Sequence, residues 1–254
     1  MNKSNRIHFL GCKVDRVDFE QTVQRIKEYM KGVDSIQVVT LNPEMVMNAR
    51  QDETLRELIG TAQIICPDGI SIVWAAKKFK DPLKERITGV DLMDRLCLEA
   101  SVYGWRVFLL GGAPHVAEKA AANLQVKYPG LVVAGTHDGY FSEEESAALV
   151  QQMKEAHTDM LFVGMGAPKQ EFWIRRNMWL SGAKVSMGVG GSFDVFSGEK
   201  KRAPQWIIRM HLEWLYRLAC EPSRLKRQLI LPKFVGLVVK ESAKIPLHQE
   251  HKNS

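Results

Sequence analysis

The chain predicts an α/β fold: a parallel sheet with helices on both faces, followed by a C-terminal helical basic appendage. Three observations carry that expectation. From Arg106 onward, short apolar runs that end in glycine alternate with amphipathic stretches of helical period. The 254 residues, 45% hydrophobic and 25% charged, suffice for one large domain with a sizeable core. Charge is also unevenly placed: residues 1–198 carry 23 Lys/Arg against 24 Asp/Glu, whereas residues 199–254 carry 12 against 5. The formal charge of +6 therefore sits in the last fifth of the chain, and a localised basic segment attracts an anionic partner. The expected division is a core over 1–198 and an appendage over 199–254.

The elements follow in order. Residues 7–10 and 12–14 read as short strands around Gly11. Phe19, Val23, Ile26 and Met30 recur at helical spacing and predict a helix over 18–31. A strand over 35–40 runs into Leu41-Asn42-Pro43, and helices follow through Asn48 and Leu58. A buried strand over 63–66 runs into Pro67-Asp68-Gly69, then a helix over 70–78. A charged loop precedes a helix over 90–103. The alternation proper then has strands over 106–110, 131–134, 160–163 and 184–189, and helices over 114–127, 142–156 and 169–180. Past Gly198, Pro204 is placed to open a helix. Trp206, Met210, Trp214 and Leu218 recur every four residues along it, and Pro222 ends it and starts another carrying Arg224, Lys226 and Arg227. The apolar run 229–239 is far too short to cross a bilayer.

Several classes are excluded or weakened. Residues 1–6 lack the apolar stretch of a signal peptide. Cys12, Cys66, Cys97 and Cys220 are widely spaced with no C-x-x-C, which fits reduced thiols in a cytosolic setting. No glycine turn matches G-x-G-x-x-G or a P-loop, so a dinucleotide or ATP site has little support. No nucleic-acid motif accompanies the basic tail. There is no D-x-D, and no His/Cys group has zinc spacing, so a metal-free site is the simpler reading.

Ligands of open parallel sheets bind beyond the carboxyl ends of the strands. Gly111-Gly112, Gly164-x-Gly166 and the turn at Gly190 each follow a strand, where glycine lets backbone approach a phosphate. Tight turns without a ligand account for any one of them equally well. Asp68 follows a buried strand and suits a base that strips a hydroxyl proton, or equally a helix cap. Thr40 and Asn42 end a neighbouring strand, where they serve either a sugar's hydroxyls or the turn before Pro43. Arg86 lies in the charged loop and offers a fork for diphosphate, against plain solvation. Gln170 sits near a helix start. The basic tail reads as a helix pair at an anionic membrane surface or as a docked subdomain with a solvated basic face.

Taken together, TLNPE at Thr40, PDGISIVWA at Pro67, RITGVDL at Arg86, FLLGG at Phe108 and GMGAPKQE at Gly164 resemble the WecG/TagA/CpsF family of bacterial glycosyltransferases. GVGGSFDVFSG at Gly188, RAPQW at Arg202 and LEWLYRLACEPSRLKRQ at Leu212 continue the likeness in order, over about residues 7–227. The resemblance implies a Rossmann-like core and inverting, metal-independent transfer from a UDP-sugar, with no cofactor. It implies a lipid-linked diphospho-N-acetylglucosamine acceptor, with N-acetylmannosamine as the donor sugar in the teichoic-acid members and its uronic acid, glucose or galactose as alternatives. Asp68 corresponds to the general base, and Thr40, Asn42 and Gln170 to active-site polar residues. Arg86 corresponds to a residue near the substrate, and Arg217, Arg224 and Arg227 to appendage arginines that reach over the site. A peripheral position on the inner face of the cell membrane and a homodimer complete the expectation. A nicotinamide-dependent dehydrogenase and a non-catalytic membrane-binding module are the rivals.

Overall fold

The computed structural model describes residues 6–210, 212–222, 225 and 229–245. Strands β1 (Arg6–Phe9) and β2 (Cys12–Asp15) form an antiparallel hairpin. The main sheet has six parallel strands: β3 (Ile36–Leu41), β4 (Ile64–Pro67), β5 (Arg106–Gly111), β6 (Val132–His137), β7 (Met160–Gly164) and β8 (Val185–Gly188). Their order across the sheet is β4-β3-β8-β7-β5-β6. Every residue of β3, β4, β7 and β8 is buried. Strands covered on both faces read as near-continuous apolar runs, and these segments do so apart from the buried polar Gln37, Thr40 and Ser186.

Helices cover both faces. On one side α1 (Phe19–Lys31), α5 (Gly89–Tyr103), α6 (Val116–Lys127) and the short α9 (Ser192–Phe196) pack on Ile36, Val38, Leu109, Phe162 and Met187. On the other side are α2 (Pro43–Ala49), α3 (Glu53–Thr61), α4 (Ile70–Lys78), α7 (Glu143–Glu155) and α8 (Lys169–Asn177). The starts are encoded locally. Asp18 with Gln21 and Ser142 with Glu145 make capping boxes for α1 and α7. The strands and helices of the core lie within a few residues of their expected positions; β6 runs on to His137, three residues past the apolar stretch that announces it.

The glycine that closes β5 is dictated by packing. Gly111 has φ +131°, and a Cβ there would lie 2.4 Å from the carbonyl oxygen of Gly164. Gly164 in turn abuts the Gly190 carbonyl, with room for no Cβ, so these three turns stack backbone on backbone.

The C-terminal region differs from expectation in two ways. The single helix expected through Leu218 is two: α10 (Gln205–Arg209) and α11 (Glu213–Cys220). In one continuous helix Glu213 would share a face with Trp206, seven residues earlier. The break lets Trp206 and Met210 stay exposed while Glu213 is buried. Helix α11 does end before Pro222, but the expected helix with Arg224, Lys226 and Arg227 lies outside the described residues. The apolar run near the end forms α12 (Ile230–Ser242), which packs on α2 and α4 and buries Phe234 and Val238 completely. No helix among the described residues is long and apolar enough to cross a membrane.

Phe234 is therefore core, despite its place near the chain's end. Truncating a buried Phe forfeits its transfer free energy and leaves a cavity. Phe234→Ala should lower stability by about 3 kcal/mol in urea denaturation. A loss under about 0.5 kcal/mol, the range of ordinary surface changes, would contradict the docking of α12.

Candidate active site

The chain order places two polar strand ends side by side. Leu41 of β3 pairs with Pro67 of β4, so Asn42 and Asp68 emerge together from the sheet's carboxyl edge. The Asp68 N–H donates to the Leu41 carbonyl at 2.8 Å, which fixes the start of the turn. Gly69 then takes φ +97°, a conformation open to glycine, and throws α4 away from the edge. Gly69 is the N-cap of α4, and no side chain caps that helix. The capping explanation for Asp68 thus fails, and its carboxylate is left for other work.

A cavity of about 320 Å³ opens over this edge. Its walls bring together Thr40, Asn42, Asp68, Arg86, Gly166, Gln170, Gly190 and Arg217, residues drawn from six separate stretches of sequence. Asn42 also caps α2, accepting from Met45 N at 3.0 Å, so the turn role and a place in the cavity coexist. Gly111, Gly112 and Gly164 do not line the cavity; Gly111 and Gly164 are taken up in the backbone stack described above. Arg224 and Arg227 lie outside the described residues.

The glycine turns are also used differently from the phosphate cradle that their sequence suggests. The N–H groups of Gly166 and Gly190 both donate to Gln170 Oε1, at 3.1 and 3.0 Å. They are spent on the protein. The helix starts that line the cavity include those of α2 and α5, capped by Asn42 and Thr88, and that of α4, through Gly69, Ile70 and Ser71. Its first N–H groups have no capping side chain and carry the positive end of the helix dipole.

One residue of the cavity wall was not singled out by the sequence: Glu213. Its side chain is 7% exposed, and its carboxylate receives Arg217 Nη2 at 3.0 Å and Arg86 Nη2 at 3.3 Å. Arg202 Nε lies 4.0 Å away, and that guanidinium also pairs with Asp91 at 2.7 Å. Glu213 therefore has three arginines around it, of which Arg86 and Arg217 line the cavity. Four residues separate Glu213 from Arg217, the one helical signal that joined them in advance.

These charges act on Asp68. Burial pushes its carboxyl up to about 7; Arg217 pulls the other way, Glu213 adds to the rise, Arg86 opposes it and Asp91 adds again. The result is a carboxyl poised near neutrality beside two guanidinium groups. Such a site can accept a proton from a hydroxyl and stabilise negative charge on a departing phosphate. Among the described residues, no group of His, Cys, Asp or Glu is arranged to hold a metal ion.

Sequence comparison relates the chain to known proteins. The N-acetylglucosaminyldiphosphoundecaprenol N-acetyl-beta-D-mannosaminyltransferase of Bacillus spizizenii is 41% identical over 203 residues, 80% of this chain and 78% of that protein. Proteins of the same name from two Staphylococcus aureus strains are each 38% identical over 242 residues, 94% of both chains. The sequence profile of the Glycosyl transferase WecG/TagA/CpsF family matches residues 7–247, spanning core and C-terminal helices alike, and the chain belongs to that family.

Proposed function

We propose that the chain transfers N-acetylmannosamine from UDP-N-acetylmannosamine to the 4-hydroxyl of N-acetylglucosamine on undecaprenyl diphosphate, with inversion. The names of the relatives, which state the transferred sugar and the acceptor, support these substrates. The observation that carries the chemistry is Asp68: a carboxyl released from capping, set in the cavity, and poised near pH 7.

In this reading Asp68 takes the proton of the acceptor hydroxyl. The freed oxygen pair forms a bond to the anomeric carbon from the face opposite UDP. The bond from that carbon to the diphosphate oxygen breaks, and its electron pair leaves with UDP. Arg86 and Arg217 supply the positive charge that the departing diphosphate needs, so the transfer requires no divalent cation and no cofactor. The open start of α4 adds to that field. In this reading Thr40 and Asn42, both in the cavity wall, meet the sugar hydroxyls.

The appendage past Gly198 serves the acceptor, whose lipid stays in the bilayer. Trp206 and Met210 are exposed beside exposed Arg209 and Lys201. That combination suits the interface of an anionic membrane, with about 1 kcal/mol per basic residue near the surface. The enzyme then works on the inner membrane face, as a homodimer. A UDP-release assay with a panel of UDP-sugars, a short-chain lipid-diphospho-N-acetylglucosamine and EDTA tests the reading. Transfer from another donor alone would replace N-acetylmannosamine; no release with any donor would sink the enzyme proposal in favour of a binding module.

Asp68→Asn should lower kcat by about 10²–10⁴-fold, the usual worth of a positioned base. In the wild type the base works only when ionised. Its raised value therefore makes kcat/KM fall as pH drops through about 7 and level off above it. Glu213 pushes Asp68 upward, so Glu213→Gln should move that acid limb to lower pH. The same shift has a stability signature. A carboxyl raised in the folded state contributes stability that is present below its unfolded value, near 4, and lost as pH rises through about 7. Relative to wild type, Asp68→Asn should thus gain thermal stability between pH 4 and 8; a constant difference would contradict the burial of this charge. For the membrane contact, the double variant Trp206→Ser, Met210→Ser should sediment with anionic vesicles less than wild type. Equal sedimentation at low salt would remove α10 from the docking surface.

A further inference from the structure

Beneath the loops that follow β7 and β8 lies a buried polar group that the proposed reaction leaves unused. Gln170 Oε1 accepts from both Gly166 and Gly190, so one oxygen ties the two loops together. This works in one amide orientation only. Reversed, the amide would turn its NH₂ toward two N–H donors and lose both bonds. Glu171 sets the orientation: Gln170 Nε2 donates to Glu171 Oε1 at 2.8 Å.

Glu171 is 2% exposed on α8, and its backbone carbonyl accepts from Gln37 Nε2 of β3 at 3.1 Å. Gly188 makes room for the pair, since a Cβ there would sit 2.5 Å from Gln170 Nε2 and 2.8 Å from Glu171 Oε1. Burial pushes the Glu171 carboxyl up to about 7, while the Gln170 hydrogen bond pulls it down. In either protonation state an oxygen remains to accept from Nε2. For the fold alone this is a costly residue. Glu171 Oε2, Gln37 Oε1 and Ser186 Oγ are buried with no hydrogen-bond partner among the described residues, and an apolar side chain would avoid that penalty.

We infer that Glu171 is a positioning residue: by fixing the Gln170 amide it holds the Gly166 and Gly190 loops at the separation that donor binding requires. The donor clause rests on the proposed transferase reading of the cavity; the hydrogen-bond relay stands apart from it. Both loops line the cavity, through Gly166 and Ala167 on one side and Val189, Gly190 and Gly191 on the other.

The test uses the full chain with four variants: Glu171→Met, Glu171→Gln, Gln170→Glu, and Gln170→Glu combined with Glu171→Gln. Two quantities are read: hydrogen exchange of the Gly166 and Gly190 amides, and the Kd for UDP by calorimetry. Glu171→Met removes the acceptor at similar volume. It should speed exchange at both amides and weaken UDP by about tenfold, the worth of one good hydrogen bond. Glu171→Gln keeps an acceptor oxygen and should stay within about twofold of wild type, well short of that loss. Gln170→Glu sets two carboxyls against each other and should behave like Glu171→Met. Adding Glu171→Gln restores a donor between the two and should recover UDP binding, a rescue that a purely volumetric role would not give. Unchanged amide exchange in Glu171→Met overturns the relay. Faster exchange with unchanged UDP affinity overturns its link to the donor. Failure of the wild type itself to bind UDP would instead overturn the transferase reading, and the donor clause with it, while the exchange arm still decides the relay.

Discussion

The carboxylate of Glu213 is the contact on which the site depends. Taken out of water, it would cost several kcal/mol alone, and it is tolerated because guanidinium groups from Arg86 and Arg217 bond to it and Arg202 stands 4.0 Å off. Those arginines come from the loop before α5, the segment after α9, and α11 itself. One buried anion therefore binds two cations directly, while the third, Arg202, makes its closer contact with Asp91. Remove it, and the cations repel one another and lose the reason to face the cavity. The arrangement also ties the C-terminal helices to the core at the cavity wall, far in sequence from the anchor that α12 provides on α2 and α4.

The same contact sets the electrostatics at Asp68. A buried carboxyl with no neighbouring charge would be held neutral, useless as a base at pH 7. With the arginines alone it would be fully ionised and a weaker proton acceptor. Glu213 and Asp91 offset part of the arginines' pull, and the balance leaves Asp68 near neutrality. The acidity of Asp68 is thus a property of five charged groups from separated segments, and no one of them encodes it.

That explains what could be read in advance. The core was legible because period and turn chemistry are local: the apolar run in β3, the capping boxes of α1 and α7, and the glycines after β5 and β7 each announce their element within a few residues. Asp68 was ambiguous because capping and catalysis both place Asp before a helix; only the uncapped start of α4 separates them. Glu213 escaped because its partners lie 127 and 11 residues away, through Arg86 and Arg202, and charge spacing reveals only Arg217. The glycine turns were ambiguous for a related reason. A glycine demanded by a neighbouring backbone, as at Gly111, looks in sequence the same as one demanded by a phosphate. The C-terminal stretch resisted for yet another reason. Its every-fourth-residue apolar stripe spells one helix, whereas the tertiary need to bury Glu213 and expose Trp206 breaks it in two.

The break between α10 and α11 has a mechanical consequence under the proposed reading. Helix α10 carries its aromatic and basic side chains outward, while α11, three residues on, carries Glu213 and Arg217 into the cavity. An acceptor held in a bilayer and a donor held over the sheet then meet at a single joint. Whatever α10 contacts lies close in the chain to Glu213, because α10 ends at Arg209 and α11 begins at Glu213. Helix α12 is itself anchored in the core, where Phe234 and Val238 are buried. Cutting the chain after the core would therefore do two things at once, removing the outward helix and uncovering the apolar faces of α2 and α4. A core truncated in that way would bind vesicles through exposed hydrophobic surface, for reasons unrelated to function. Point changes on the outward face of α10, which leave Glu213 and Phe234 in place, are what separate docking at a membrane from loss of the fold.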